Sequence, residues 1–330
     1  MNAAVTVRAP AKINLQLAVG DLRDDGFHDL VTVFHAVSLV DDVTASPQPH
    51  DDGSVTVEVH GLAADRVPLD GTNLAVRAAR LLAERAGVDA GVHLRIDKGI
   101  PVAGGMAGGS ADAAAALVAC DALWHTGSSR DELHELAAEL GSDVPFALVG
   151  GTAVGRGRGE RLTPALARGS YGWVLAIAPT GLSTPAVYGE LDRLRAGRTG
   201  SAGRGTPATP QTPAPTVAEE LLRALRRGDA DALGPLLAND LQVPACSLDP
   251  RLERTLEIGL DAGALGAVVC GSGPTVAFLT ADGDLALDVE SALRTGGTAA
   301  DVLRAHGPVP GARIVEPVRA RRQEPAWPTS

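Results

Sequence analysis

The sequence predicts a mixed α/β (α+β) fold carried by two domains. The chain has 330 residues, 45% of them apolar, enough to fill two separate cores. Runs with a period of two, the mark of strands, are interleaved with runs of helical period from the amino terminus onward. One strand also passes through a glycine-rich loop straight into an alanine-rich helix.

Val5, Val7, Ile13, Leu15, Leu17 and Val19 alternate around Pro10, which predicts two strand segments with a break between them. Lys12 and Asn14 share the opposite face. Strand-like runs follow at 31–39, 55–59 and 92–96, with a helical pattern over 73–85 before the last of them. Two further helices are predicted over 110–125 and 130–140, with Gly141 at a C-cap. Residues 152–154 and 173–178 read as strands, and a boundary near residue 160 gives domains of 1–160 and 161–316. The stretch 195–215 is almost entirely Gly, Ala, Ser, Thr, Pro and Arg, so it reads as a flexible insertion. Helical patterns resume over 217–241 and 250–260, then a strand, a glycine turn and another strand span 267–279. Residues 317–330, rich in Arg and Pro, read as a loose tail.

Composition narrows the function. A net charge of −11 excludes the broad cationic face that nucleic acid or an acidic membrane requires. It leaves room for a small anionic ligand held locally by backbone N–H groups and one or two lysines. Residues 1–19 lack the continuous apolar stretch of a signal peptide, and no later window offers about 18 uninterrupted apolar residues. The expectation is a cytoplasmic protein, monomer or homodimer, acting on a small molecule. Cys120, Cys246 and Cys270 are odd in number and far apart, which argues against a disulfide framework or a zinc site and for reduced core thiols.

The strongest local signal is the unbroken row Pro101, Val102, Ala103, Gly104, Gly105, Met106, Ala107, Gly108, Gly109, Ser110, Ala111 and Asp112. Small residues let a diphosphate approach the backbone, and the helix start supplies free N–H groups and partial positive charge. Ser110 is placed as an N-cap or as a hydroxyl near a magnesium ion. The row lacks the Lys-Ser/Thr ending of a P-loop and the spacing of a dinucleotide-binding turn; alone, it reads equally as a flexible loop before a helix. Asp143, at a helix boundary ahead of Pro145, reads alone as an N-cap, and Lys12 as a solvated lysine on a strand's polar face. Gly26-Phe27-His28 follows a charged loop, and Gly271-Ser272-Gly273-Pro274 reads as a tight turn between strands.

In this order, residues 10–15, 101–112 and 271–275 resemble the three motifs of the GHMP kinase superfamily. Within it, the opening at 10–15, the step at 26–28, the segment 141–146 and Asn239-Asp240-Leu241 are similar to the diphosphocytidyl-methylerythritol kinases, over residues 5–316 apart from the insertion. The resemblance implies an amino-terminal ATP-binding domain, a ferredoxin-like carboxy-terminal domain and an active site in the cleft between them. It implies transfer from ATP, with Mg²⁺, to the 2-hydroxyl of a cytidine diphosphate conjugate of methylerythritol, in the non-mevalonate route to isoprenoids. The catalytic pair falls by that resemblance on Lys12 and Asp143: the carboxylate takes the proton of the acceptor hydroxyl, and the ammonium keeps it ionised and offsets phosphoryl charge. Loop residues 101–111 hold the ATP phosphates, with Lys98 and Asn73 as further nucleotide-side residues. Phe27 and His28 recognise cytosine, Tyr188 supplies a second stacking face, Thr184 lies near the methylerythritol, and Asn14 binds the acceptor. The resemblance assigns no magnesium ligand beyond the candidate Ser110.

The sequence departs from that pattern in places. Phe27 stands where Tyr is commoner, keeping a stacking face and losing a hydroxyl. Gly104, Met106, Ala107 and Ala111 stand where Ala, Leu, Gly and Ser are more usual. Two rival readings are a GHMP kinase for another alcohol, such as homoserine or a sugar, and a nucleotide-binding regulator without catalysis. The presence of both Lys12 and Asp143 speaks against the second.

Overall fold

The computed structural model describes residues 3–48, 53–89, 91–199 and 214–315. The first half of the chain comprises β1 (Val5–Leu22), β2 (His28–Pro47), β3 (Val55–Gly61), α1 (Leu74–Ala86), β4 (Val92–Lys98), α2 (Gly108–Trp124), α3 (Arg130–Leu140), α4 (Val144–Val149), β5 (Thr152–Gly157) and β6 (Arg161–Pro164). The second half adds β7 (Tyr171–Ile177), α5 (Thr184–Thr199), α6 (Glu219–Arg227), α7 (Ala230–Leu233), β8 (Ala238–Asn239), α8 (Gln242–Leu248) and α9 (Arg251–Asp261). It closes with β9 (Gly266–Val269), β10 (Val276–Thr280), α10 (Gly283–Gly296), β11 (Asp301–Gly307) and β12 (Arg313–Val315).

Among the described residues, the strands form two sheets. The first follows the order β12-β1-β2-β4-β3, with β5 on β2, β6 on β5 and β8 on β1. The second follows β11-β7-β10-β9, every pair antiparallel. In chain order its strands lie fourth, first, third, second, the ferredoxin-like arrangement expected of the second domain. Because β6 continues the first sheet and β8 and β12 return to it, a division near residue 160 leaves three later strands on the earlier sheet.

The expected break at Pro10 is instead a bulge within one long strand. The register of β1 against β2 slips between Pro10 and Ala11 and again between Asn14 and Gln16. A residue without an N–H is tolerated where the ladder is already interrupted. Helix starts follow the local chemistry: Asn73 accepts from the N–H of Ala75 to cap α1, and Ser129 with Glu132 forms a capping box on α3.

Helix α2 is apolar around most of its circumference, and residues 111–117 are all buried. Its alanines let it lie close on β1 and β2, with α1 and α4 against its other faces. That packing fixes the glycine-rich loop at its head beside β1, where the Lys12 N–H donates to the Met106 carbonyl (3.2 Å).

Two sequence expectations change. The N-cap of α2 is Ala107, at φ +62°, so Ser110 lies inside the first turn. Helix α5 runs to Thr199, so residues 195–199 of the stretch expected to be an insertion are helical. There Arg195 donates to the carbonyls of Val19 and Gly20 (2.7 and 2.8 Å). The rest of that stretch through residue 213, and the expected tail at 317–330, lie outside the described residues.

Candidate active site

Lys12 and Asp143 approach each other through an aromatic scaffold. Phe146, one turn into α4, stacks on Phe34 of β2 with centroids 4.8 Å apart. The Lys12 ammonium lies over that same Phe34 ring, 5.5 Å from its centroid. Asp143 heads α4 at φ −92°, ψ −12° and its carboxylate caps nothing. It stands 3.7 Å from the Lys12 Nζ instead. The helix-capping reading of Asp143 and the solvated reading of Lys12 both fail on this geometry: the lysine is only 6% exposed.

A short relay holds the lysine. Its Nζ donates to Asn14 Oδ1 (2.8 Å), Asn14 Nδ2 donates to Thr32 Oγ1 (2.7 Å), and Thr32 Oγ1 donates to the Gln16 carbonyl (2.7 Å). Asn14 lines the cleft as expected, but its amide is spent on aiming Lys12.

Around this pair opens a cleft of about 710 Å³ that also takes in Phe27, His28, Gly105, Ala107, Ser110, Thr184 and Tyr188. In the same cleft the His28 and Tyr188 rings lie 5.2 Å apart, tilted by 31°. His28 Nδ1 is 3.0 Å from the Gly20 carbonyl, which can only accept, so Nδ1 carries a proton, while Nε2 lies 3.5 Å from Asp192 Oδ2. Burial, and then the charge of Asp143, push the Tyr188 phenol up to about 12. Thr184 Oγ1 and Ser272 Oγ lie 2.9 Å apart, joining the start of α5 to the β9–β10 turn.

A second cavity of about 280 Å³ is lined by Pro101, Val102, Ala103, Gly104, Gly105, Ala107, Gly108 and Gly109 together with Lys98 and Asp112. Gly105 and Ala107 line both cavities, so the loop is their common wall. No side chain caps α2, and its first backbone bond runs from the Ala111 N–H to the Ala107 carbonyl. The amides of Gly108, Gly109 and Ser110 therefore have no partner within the helix.

Lys98 reaches this cavity but is already committed. Its Nζ donates to Asp41 Oδ2 (2.5 Å) and Asp112 Oδ2 (2.7 Å), while Asp41 Oδ1 accepts the N–H groups of Gly99 and Ile100. Burial opposes the lysine's charge, and the two carboxylates more than offset it, raising its pKa. Burial drives the Asp112 carboxyl well above the usual carboxylate range, against the pull of Lys98 and with the push of Asp41. The cluster thus anchors the loop at the end of β4.

Three expected nucleotide-side residues line neither cavity. Asn73 uses its side chain to cap α1 and to donate to the Pro68 carbonyl (2.8 Å), steadying a wall of the smaller cavity. Met106 and Ala111 point into the core. Conversely, Phe34, Arg158 and Asp192 line the cleft although the sequence pattern gave them no role. For Asp192 the signal was there: it follows Tyr188 by four residues on one helix, hence on one face.

Ala107 holds a left-handed conformation that costs a non-glycine residue about 1–2 kcal/mol. Ala107→Gly is expected to raise stability by up to about 1 kcal/mol, net of the added freedom of the unfolded chain. A rise in the denaturant midpoint with unchanged slope checks this.

Two family models match the chain: GHMP kinases N terminal domain over residues 73–151, and GHMP kinases C terminal over 221–299. A protein of Thermobifida fusca named 4-diphosphocytidyl-2-C-methyl-D-erythritol kinase is 56% identical over 96% of this chain and 100% of its own. One of the same name from Nocardia farcinica is 56% identical over 95% of this chain and 97% of its own. Among solved structures, a 4-(cytidine 5'-diphospho)-2C-methyl-D-erythritol kinase superposes with a TM-score of 0.70 at 34% identity, covering 91% of this chain and 98% of that one. A homoserine kinase from Cytophaga hutchinsonii reaches the same TM-score at 18% identity, covering 96% and 98%, a likeness of fold alone.

Proposed function

Because this chain belongs to the GHMP kinases, and within them to the 4-diphosphocytidyl-2-C-methyl-D-erythritol kinases, we propose that it transfers the γ-phosphoryl group of ATP to the 2-hydroxyl of that cytidyl alcohol. The observation that carries the reading is one cleft that holds both the Lys12–Asp143 pair and Phe27, His28 and Tyr188. A plain sugar or amino-acid kinase has no use for those three rings.

In this reading Asp143 accepts the proton as the acceptor oxygen bonds to the γ-phosphorus and the bond to the bridging oxygen of ADP breaks. Lys12, held by Asn14 and Phe34, offsets charge on the moving group. The amides at the head of α2 receive ATP phosphate oxygens, and the small residues of the loop let them approach. The Ser110 hydroxyl, in the first turn of α2 and in the same cleft as Asp143, suits a magnesium ion, which would neutralise phosphate charge there. Phe27 and Tyr188 offer faces to a cytosine ring, and the His28 imidazole a hydrogen bond to it.

The test is magnesium-dependent ADP release by the purified chain, with the cytidyl alcohol set against homoserine, mevalonate and galactose. Turnover confined to the cytidyl alcohol supports the assignment. Turnover on another alcohol would keep the kinase chemistry and remove the roles of Phe27, His28 and Tyr188. ATP binding with no transfer to any of them would favour a regulator.

A further inference from the structure

We propose that Arg158 is the residue that holds the diphosphate of the acceptor and so selects diphosphate-bearing alcohols over neutral ones. The proposal rests on the cytidyl-alcohol reading above and adds a residue to it.

The ionisable side chains lining the cleft are Lys12, His28, Asp143, Arg158 and Asp192. Lys12 faces Asp143 at 3.7 Å, and His28 Nε2 faces Asp192 Oδ2 at 3.5 Å. Arg158 is left over. Among the described residues its guanidinium meets no carboxylate and lies over the Phe27 ring, 5.1 Å from the centroid. A half-buried cation without a counter-ion, in a chain of net charge −11, marks a place where a ligand supplies the negative charge.

The backbone around it is built to present that side chain. Arg158 stands between Gly157 at φ +76° and Gly159 at φ +112°, in the turn from β5 to β6. Its own N–H donates to Glu160 Oε2 (2.7 Å), which pins the turn from within. Gly157 pairs with Leu30 of β2, two residues from His28, so the turn sits beside the Phe27–His28 step of the cleft. The main chain is fixed while the guanidinium is held only by a weak contact with an exposed ring.

The chemistry of the acceptor matches this. Its diphosphate joins the nucleoside to the polyol, so it lies between the groups that hold the base and the reacting pair. Lys12 is occupied with Asp143, and Arg158 is the remaining lysine or arginine lining that cleft among the described residues. Guanidinium presents two parallel N–H groups to phosphate oxygens, which an ammonium does not. On binding, Arg158 exchanges the Phe27 ring for the phosphates and frees that ring for the base.

The experiment uses the full chain with Arg158→Gln and Arg158→Lys. It measures kcat and KM for both substrates, and competitive inhibition by cytidine and by cytidine diphosphate. Arg158→Gln is expected to raise the acceptor KM about 10- to 100-fold, the size of a charge-assisted hydrogen bond. The expected kcat stays within about twofold, KM for ATP is unchanged, and Lys restores part of the loss. Inhibition by cytidine diphosphate should weaken about as much as substrate binding, and inhibition by cytidine hardly at all. An unchanged acceptor KM would overturn the proposal. So would equal losses for cytidine and cytidine diphosphate, which would put the effect in the Phe27 ring. If the wild-type chain does not turn over the cytidyl alcohol at all, the function reading falls and this inference with it; if it does and the variants match it, only this inference falls.

Discussion

Asp143→Asn is expected to lower kcat on the order of 10³-fold while leaving the KM values and the melting temperature close to those of the wild type. The separation follows from what the carboxylate does and does not touch. It makes no capping bond to α4, although it stands at the N-cap position, and its side chain is 32% exposed. An amide of the same shape therefore fits without a cavity or a buried orphan. What is lost is the capacity to take a proton. Lys12 keeps its bond to Asn14 and its place over Phe34, so the ammonium remains aimed at the reaction. Steady-state kinetics beside a thermal melt read both quantities. A folded variant with full kcat would remove Asp143 as the proton acceptor. A fall in melting temperature equal in energy to the lost rate would make its role structural.

The proposed catalytic pair was legible only through the resemblance to a family: taken alone, Lys12 reads as a solvated lysine and Asp143 as a helix cap. The long periodic elements were legible in the chain itself, because burial of one face imposes the period, and α3 falls on 130–140 as expected. Other features depended on partners distant in the chain. Strand β12 has three residues and exists because 313–315 pair with 6–8 of β1; so short an edge carries no period of its own. Strand β8 has two residues and was hidden at the end of a helical pattern. Pro10 looked like a break because a bulge needs a partner strand to define it. Asn73 looked like a nucleotide ligand on resemblance, while its own position before a helix already announced a cap. Arg158 could not be seen at all: that its guanidinium meets no carboxylate and lies over Phe27 is decided by the fold.

The interlock between the glycine-rich loop and the β9–β10 turn was equally invisible, and it sets the other large expected effect. Gly105→Ala is expected to destabilise the chain on the order of 3 kcal/mol and to reduce kcat/KM more than 100-fold. Gly105 sits at φ +76°, and a Cβ there would lie 2.1 Å from the Cys270 carbonyl oxygen and 2.9 Å from that of Gly273. Both obstacles are backbone, and the turn cannot swing aside. Asn239 Nδ2 donates to the carbonyls of Val269 and Gly271 (2.7 Å each), and the Thr275 N–H donates to the Gly104 carbonyl (3.3 Å). Forcing loop and turn apart also moves Lys12, whose N–H is bonded to Met106 and whose Nζ would lie only 3.2 Å from a Cβ on Gly271. Gly109→Ala is the matching control. Its Cβ would meet only Leu74 Cδ1 at an ordinary 3.6 Å, within a helical turn where alanine is favoured by about 1 kcal/mol. That variant should fold at least as well as the wild type yet bind ATP more weakly, because the methyl group stands where phosphate oxygens approach the amides. Denaturant midpoints and KM for ATP, measured on the two variants side by side, should therefore move in different patterns. If Gly105→Ala proved as stable and active as Gly109→Ala, the loop and the turn would not be locked together, and the wall shared by the two cavities would be a movable one.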